Sequence, residues 1–375
     1  MVTVRAVRPH ELRPAQRQGW LELLKDNDEL VSPYFHPEYV TAVGEVLDNV
    51  YVAVLRAGSD EAYLPFQRGR LGIGGPVGGG FSDYQGIIAP PGFEFDPRRV
   101  VVDLGLRLLD FDHQLASQAA FTPYATGHYT SPYLDLSHGF DAYLAARRQS
   151  GSGRLSQFQR KGRKLGREVG ELRLVYSDAD PAALRQVIDW KRDQCLRTGA
   201  KDFFAWGWTN AILDHIHHRD VDGFAGVLTS LYAGDRLVAG HFGMRTDRAL
   251  HWWFPSYDAA YGRYSPGGVL LTMLAERAAA EGITMLDLGR GGEGGYKSSF
   301  ATDAVDLIGG WVGPTTAVSA GRDAFRSSKR FALTSPALEP VRSAAKRARN
   351  EVRDRVRDRL RARIVDRQSP AADGH

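Results

Sequence analysis

The sequence holds one cysteine, Cys195, in 375 residues. That excludes an internal disulfide framework and any thiolate-rich zinc or iron–sulfur site. It has no apolar run near the roughly 18 residues of a membrane-spanning helix, and its first thirty residues mix charge with apolar side chains instead of building a signal-peptide core. A cytoplasmic location is expected. Lysine is scarce, eight of 48 basic residues, so each lysine carries more information than usual. What is abundant is ordinary: 43% hydrophobic and 25% charged residues describe a folded globular protein and exclude disordered and fibrous classes. The length fits two domains or one large pseudo-duplicated unit.

A net charge of +4 conceals an uneven distribution. Residues 147–173 hold nine basic and two acidic residues, and 321–375 hold fifteen and seven. The remainder is therefore acidic, at 4 − 7 − 8 = −11. An acidic body with two basic strips attracts anions at particular faces.

Along the chain, 2–8 alternates like a strand and 11–25 reads as a helix. A short helix over 38–46 precedes strands over 50–56 and 62–67. The Gly-rich stretch 69–80 leaves no room for the helix that a dinucleotide fingerprint requires, because Pro76 and further glycines follow Gly72-Ile73-Gly74-Gly75. A helix is expected over 103–115 and a strand over 130–136. A basic helical segment, 147–170, joins the halves. In the second half a strand over 172–176 leads to Asp180-Pro181, an N-cap with a first-turn proline, and a helix to about 197. Strands over 224–232, 237–245 and 250–255 form an antiparallel meander. A helix opens at Ser265-Pro266-Gly267-Gly268 and ends at Glu281-Gly282, and strands follow over 283–288 and 305–312. This order predicts an α+β fold.

The window richest in chemistry runs from Tyr257 through Arg263-Tyr264-Ser265-Pro266-Gly267-Gly268 to Leu286-Asp287-Leu288-Gly289-Arg290-Gly291-Gly292-Glu293-Gly294-Gly295-Tyr296-Lys297. Its "yspG" helix start and its "DLG.G…YK..F" turn resemble the acetyltransferase-like domain of the CelD/BcsL type, a GNAT-superfamily branch found near exopolysaccharide genes. The resemblance covers roughly 150–310, and 1–145 more loosely. Fem-type transferases, which use charged tRNA, share the two-lobed fold and the closing aromatic-Lys motif.

The resemblance implies a two-lobed GNAT-like fold with mixed, largely antiparallel sheets flanked by helices and a C-terminal basic helix. The expected boundaries are an N-terminal lobe, 1–146; a connecting helix, 147–170; a C-terminal acetyltransferase lobe, 171–315; and a helical tail, 316–375. It implies acyl transfer from acetyl-CoA, without metal, to a sugar or amino-sugar acceptor in envelope polysaccharide synthesis. The alternatives are aminoacyl transfer from charged tRNA and a non-catalytic binding module.

Elementary chemistry agrees with that window. A small-residue loop at a helix start presents free N–H groups and the positive end of the helix dipole to a pyrophosphate. Arg263, Ser265, Gly267 and Gly268 are the cofactor-binding candidates. Pro266 replaces the first loop glycine of the GNAT pattern and removes one donor, which keeps the tRNA reading open. Lys297 is placed to steady an oxyanion or to act as base, and Tyr296 to donate to the leaving group. Glu293 is an alternative base, and His241, between Ala239 and Gly243 on one strand face, is expected beside an open groove. Asp83 and Tyr84, in an "sDY" stretch like that of CelD-type proteins, and Trp253 are the acceptor-side candidates. His215, His217 and His218 fit a polar helix end better than a metal cluster. In the tail, apolar residues from Val341 to Ile364 recur every three or four positions among arginines, a face suited to an anionic membrane surface or RNA.

Overall fold

The computed structural model of the protein describes residues 2–25, 27–151, 153–291 and 296–315. The tail from 316 onward, with its expected amphipathic helix, lies outside the described residues. The strands are β1 (Thr3–Val7), β2 (Val50–Ala57), β3 (Asp60–Arg68), β4 (Ile73–Gly75), β5 (Leu108–Leu115), β6 (Ala125–Asp135), β7 (Leu172–Val175), β8 (Asp220–Val221), β9 (Phe224–Ala233), β10 (Arg236–Arg245), β11 (Ala249–Tyr257), β12 (Met285–Asp287) and β13 (Asp303–Val312). The helices are α1 (Pro14–Lys25), α2 (Pro37–Val46), α3 (Pro97–Asp103), α4 (Gly139–Gln149), α5 (Arg154–Glu168), α6 (Pro181–Thr198), α7 (Gly207–His217) and α8 (Pro266–Ala280).

All strands join one mixed sheet in the order β1-β2-β3-β4-β5-β13-β6-β12-β11-β10-β9-β7, with β8 paired to β9. Pairing is antiparallel except between β4 and β5 and between β11 and β12. The expected α+β class, a largely antiparallel sheet flanked by helices, is what the chain adopts.

The central strands are buried on both faces because alternate residues go to different cores. Leu228, Phe242, Met244 and Trp253 enter one core with Val187 of α6 and Ile212 and Ile216 of α7. Val227, Leu231, Leu250 and Trp252 enter another with Leu155 and Phe158 of α5 and Leu270 and Leu274 of α8. Asp180 caps α6 as its sequence predicts, accepting from the Ala182 N–H ahead of the first-turn Pro181.

One element differs from its expectation. The segment 103–115 is not a helix: α3 ends at Asp103, Gly105 turns with φ +61°, and Leu108–Leu115 is strand β5, inside the sheet between β4 and β13. Its Leu-Leu-Asp-Phe-Asp-His-Gln-Leu sequence has a period-2 pattern, with Leu109, Phe111 and Leu115 buried on alternate positions. That alternation outweighs the helix propensity of its leucines. Phe111→Ala therefore lowers unfolding free energy by about 3–5 kcal/mol in urea denaturation. Leu71→Ala, at a side chain 75% exposed, changes it by less than about 0.5 kcal/mol. Equal effects of the two would contradict this placement of β5.

Candidate active site

Strands β11 and β12 pair in parallel over three positions only, Ala249↔Met285, Leu250↔Leu286 and His251↔Asp287. Beyond them the two chains part. Leu288 stays with β6, donating its N–H to the Pro132 carbonyl at 2.9 Å, while β11 continues six residues further along β10. A bulge marks the departure: Phe242 faces Phe254 but Met244 faces His251, so Trp252 and Trp253 oppose Gly243 alone. Bulges of this kind bend a strand and re-aim its side chains. The cleft that opens has a volume of about 750 Å³ and is lined by both chains, Trp252 to Tyr257 on one side and Leu288, Arg290, Tyr296 and Lys297 on the other.

The cleft is strongly cationic. Arg154, Lys161, Lys191, Arg290 and Lys297 line it against one carboxylate, Asp83, among the described residues. Lys191 of α6 donates from Nζ to the Pro255 carbonyl and to Gln194 Oε1, both at 3.2 Å. Burial lowers its pKa, and Lys297 nearby adds to the effect. Proline at 255 is compatible with β11 because β12 no longer pairs with the strand there.

At one end of the cleft α8 begins. Ser265, in the left-handed region at φ 51°, precedes Pro266 at the first helical position. Lys161 of α5 donates from Nζ to Ser265 Oγ at 2.7 Å, which places an ammonium beside the helix N-terminus. Gly267 and Gly268 both line the cleft, for different reasons. A Cβ on Gly268 would lie 2.4 Å from the Phe158 ring, whereas a Cβ on Gly267 would make ordinary contact, 3.5 Å from Tyr257. Arg263 is not among the lining residues: its side chain is 71% exposed, stacks on Tyr264 and pairs with Glu168.

At the other end stand Tyr296 and Lys297. Lys297 donates from Nζ to the carbonyls of Gly289 and Arg290 at 3.2 and 3.1 Å. Burial lowers its pKa against the pull of Asp83 and Asp287. The Tyr296 hydroxyl accepts from Trp252 Nε1 at 3.0 Å, and burial raises its pKa, so the phenol stays protonated. Trp253 also lines the cleft and donates from Nε1 to the Phe81 carbonyl at 3.1 Å.

The remaining candidates lie elsewhere. The groove expected beside His241 is filled by its own ring, which sits 2.6 Å from where a Gly243 Cβ would be. His241 is fully buried and stacks on Trp252 at 4.4 Å. Its Nε2 lies 3.1 Å from the His251 carbonyl and 3.3 Å from the Trp253 N–H, so in either tautomer it meets a group at the bulge. Burial lowers its pKa to about 3, so the ring is neutral. Tyr84 is buried and is not among the lining residues, and Glu293 lies outside the described residues. His215, His217 and His218 bind Glu45, the Asp178 carbonyl and the Asp214 carbonyl, respectively.

Sequence reasoning missed a buried line of charge. His251 Nδ1 is 2.9 Å from Asp287 Oδ2, and its Nε2 is 3.1 Å from Asp83 Oδ2. Burial works against charge on the ring, but Asp287 and Asp83 together outweigh it and raise the pKa to about 9. Arg290 Nε meets Asp83 Oδ1 at 2.9 Å. Asp287 and Arg290 were visible in the "DLGRG" motif; only the third dimension supplies the histidine between two aspartates 204 positions apart.

A histidine pKa raised on folding adds stability that is complete below its unfolded value near 6.5 and disappears as pH rises through about 9. The stability advantage of the wild type over His251→Gln, measured by urea denaturation, accordingly shrinks between about pH 6.5 and 9. An advantage that holds constant across that window would show that folding does not raise the pKa of the ring.

Residues 142–298 match the family model described as "Acetyltransferase (GNAT) domain". No curated protein sequence matches the chain. Among solved structures, FemX is similar in fold, with TM-score 0.51 and 10% identity over 82% of this chain and 96% of that one. The C-terminal DUF2156 domain of a putative lysylphosphatidylglycerol synthetase from Agrobacterium fabrum has TM-score 0.49 and 12% identity, over 84% and 96%. A tandem GNAT protein from the clavulanic acid biosynthesis pathway has TM-score 0.47 and 9% identity, over 84% and 99%. Residues 142–298 therefore carry a GNAT-type acetyltransferase domain, which is an acyltransferase domain, and the chain shares its fold with FemX.

Proposed function

We propose that the protein transfers an acetyl group from acetyl-CoA to an amino-sugar or sugar precursor of envelope polysaccharide. The observation that carries this reading is the cationic cleft where β11 and β12 part. An extended acyl-pantetheine arm fits beside the strand segment that has lost β12, and its pyrophosphate fits the start of α8, where the helix dipole and Lys161 converge. Lys161 offsets the donor missing at Pro266, since an ammonium on Ser265 adds a charge-assisted contact.

In the chemical step, Lys297 steadies the oxyanion that forms on the thioester carbonyl. Tyr296, kept protonated, donates to the leaving thiolate. Asp83 faces the acceptor, with Trp253 as wall. Residues 1–146 and 171–315 act as two lobes around the cleft, and the protein works in the cytoplasm or at the inner face of the membrane. Among the described residues no helix is long and apolar enough to cross a membrane. The arginines and lysines of α5, of which Arg154 and Lys161 line the cleft, favour a second reading, aminoacyl transfer from charged tRNA.

Calorimetry separates the two donors: acetyl-CoA binds and charged tRNA does not. Gly267→Trp abolishes acetyl-CoA binding with the melting temperature preserved, because the position has room for a Cβ and an indole there would take the place proposed for the pyrophosphate. Unchanged affinity would remove the α8 start from the site. Lys297→Ala lowers kcat about a hundredfold or more with acetyl-CoA affinity nearly preserved, the scale of losing one oxyanion donor. Near-normal kcat would make the lysine structural.

A further inference from the structure

The line Asp287, His251, Asp83 is costly to bury, and apolar residues of similar volume often serve a core as well or better. His251 is fully buried and Asp287 nearly so, yet Asp83, 16% exposed at its side chain, reaches the cleft. Every link is fixed. Asp287 Oδ1 accepts from Ser131 Oγ at 2.7 Å and from the Gly289 N–H at 2.9 Å, leaving Oδ2 for the imidazole. The glycine of the "DLG" turn is required for the next link: at φ +70°, a Cβ there would stand 2.6 Å from Asp83 Oδ2 and 3.0 Å from the His251 ring. Arg290 holds the other oxygen of Asp83 and anchors itself on the Gly80 carbonyl at 2.8 Å. Asp83 and Lys297 line the same cleft.

We propose that Asp83 takes the proton of an amine acceptor, and that His251 and Asp287 are the positioning residues that hold its carboxylate toward the cleft. This deepens, and rests on, the acetyl-CoA reading above. The amine nitrogen attacks the thioester carbonyl and a C–N bond forms. The nitrogen of the adduct then carries a positive charge and passes one proton to Asp83. The C–S bond breaks, the thiolate takes a proton from Tyr296 or water, Asp83 returns its own to solvent and solvent restores that of Tyr296; amine and thioester become amide and thiol. A carboxylate suffices for this step because the adduct nitrogen is far more acidic than a free ammonium. A hydroxyl is too weak a nucleophile to attack unless its proton leaves as the C–O bond forms, and a carboxylate is a weak base for that step. The geometry thus selects amines over alcohols.

The test follows thiol release from acetyl-CoA by the full chain, with a panel of primary amines including glucosamine and lysine, and with glucose as the hydroxyl control. An amine accelerates release and glucose does not. On that amine, Asp83→Asn lowers kcat by about a hundredfold or more, the scale of a lost general base, with acetyl-CoA affinity by calorimetry within twofold of wild type, which also reports the fold. Asp287→Asn lowers kcat about tenfold or more at unchanged KM for acetyl-CoA, and the double variant is no slower than Asp83→Asn alone, as for residues acting as one unit. Retained kcat in Asp83→Asn, losses that multiply in the double variant, or acceleration by glucose but by no amine would each overturn the proposal. Wild type that fails to bind acetyl-CoA overturns instead the reading beneath it.

Discussion

The structure depends on where two parallel strands stop pairing. β11 and β12 share three residue pairs and then diverge, and the divergence creates a cleft in the middle of a sheet whose other strands remain paired. A strand edge left unpaired inside a protein is costly unless its polar groups find partners. Here one does: Lys191 takes the Pro255 carbonyl. The remaining edge is open to the cleft, and the fold directs cationic side chains to it from α5, α6 and the turn after β12.

Two kinds of buried histidine follow from that geometry. His241 is neutral because burial meets no compensating charge, so it serves the bulge. His251, two places before the second tryptophan of that bulge, lies between two carboxylates and is charged. The same effect, loss of water around the ring, acts on both histidines, and the presence or absence of Asp83 and Asp287 decides the outcome. Arg290 then joins the charged line to Asp83 on the cleft side, where Asp112 and His113 also contact it.

Much of the fold was legible from local signals. The Asp180-Pro181 cap, the meander of β9 to β11 and the proline start of α8 are written in turns and alternation, which act over a few residues. Strand β5 was misread because a leucine-rich start resembles a helix and its partners, β4 and β13, are distant in sequence. At the site, the spacing of Gly267, Tyr296 and Lys297 was readable because each sits at an element end. His251 was not, since alternation along β11 gives its side but not the aspartates waiting there. His241 was misplaced for the same reason: Gly243 signalled open space, and the histidine's own ring fills it. The exposure of Arg263 follows from its pairing with Glu168 of α5, a contact no motif encodes.

The central claim is that the parted strands hold the donor. Amide hydrogen exchange with and without acetyl-CoA tests it most directly, because it reads individual backbone N–H groups. The account predicts slower exchange at the non-proline amides of 253–257 and at Gly267 when acetyl-CoA is present, with little change in β1 to β3. Protection confined to other elements, or none at saturating acetyl-CoA, would contradict it.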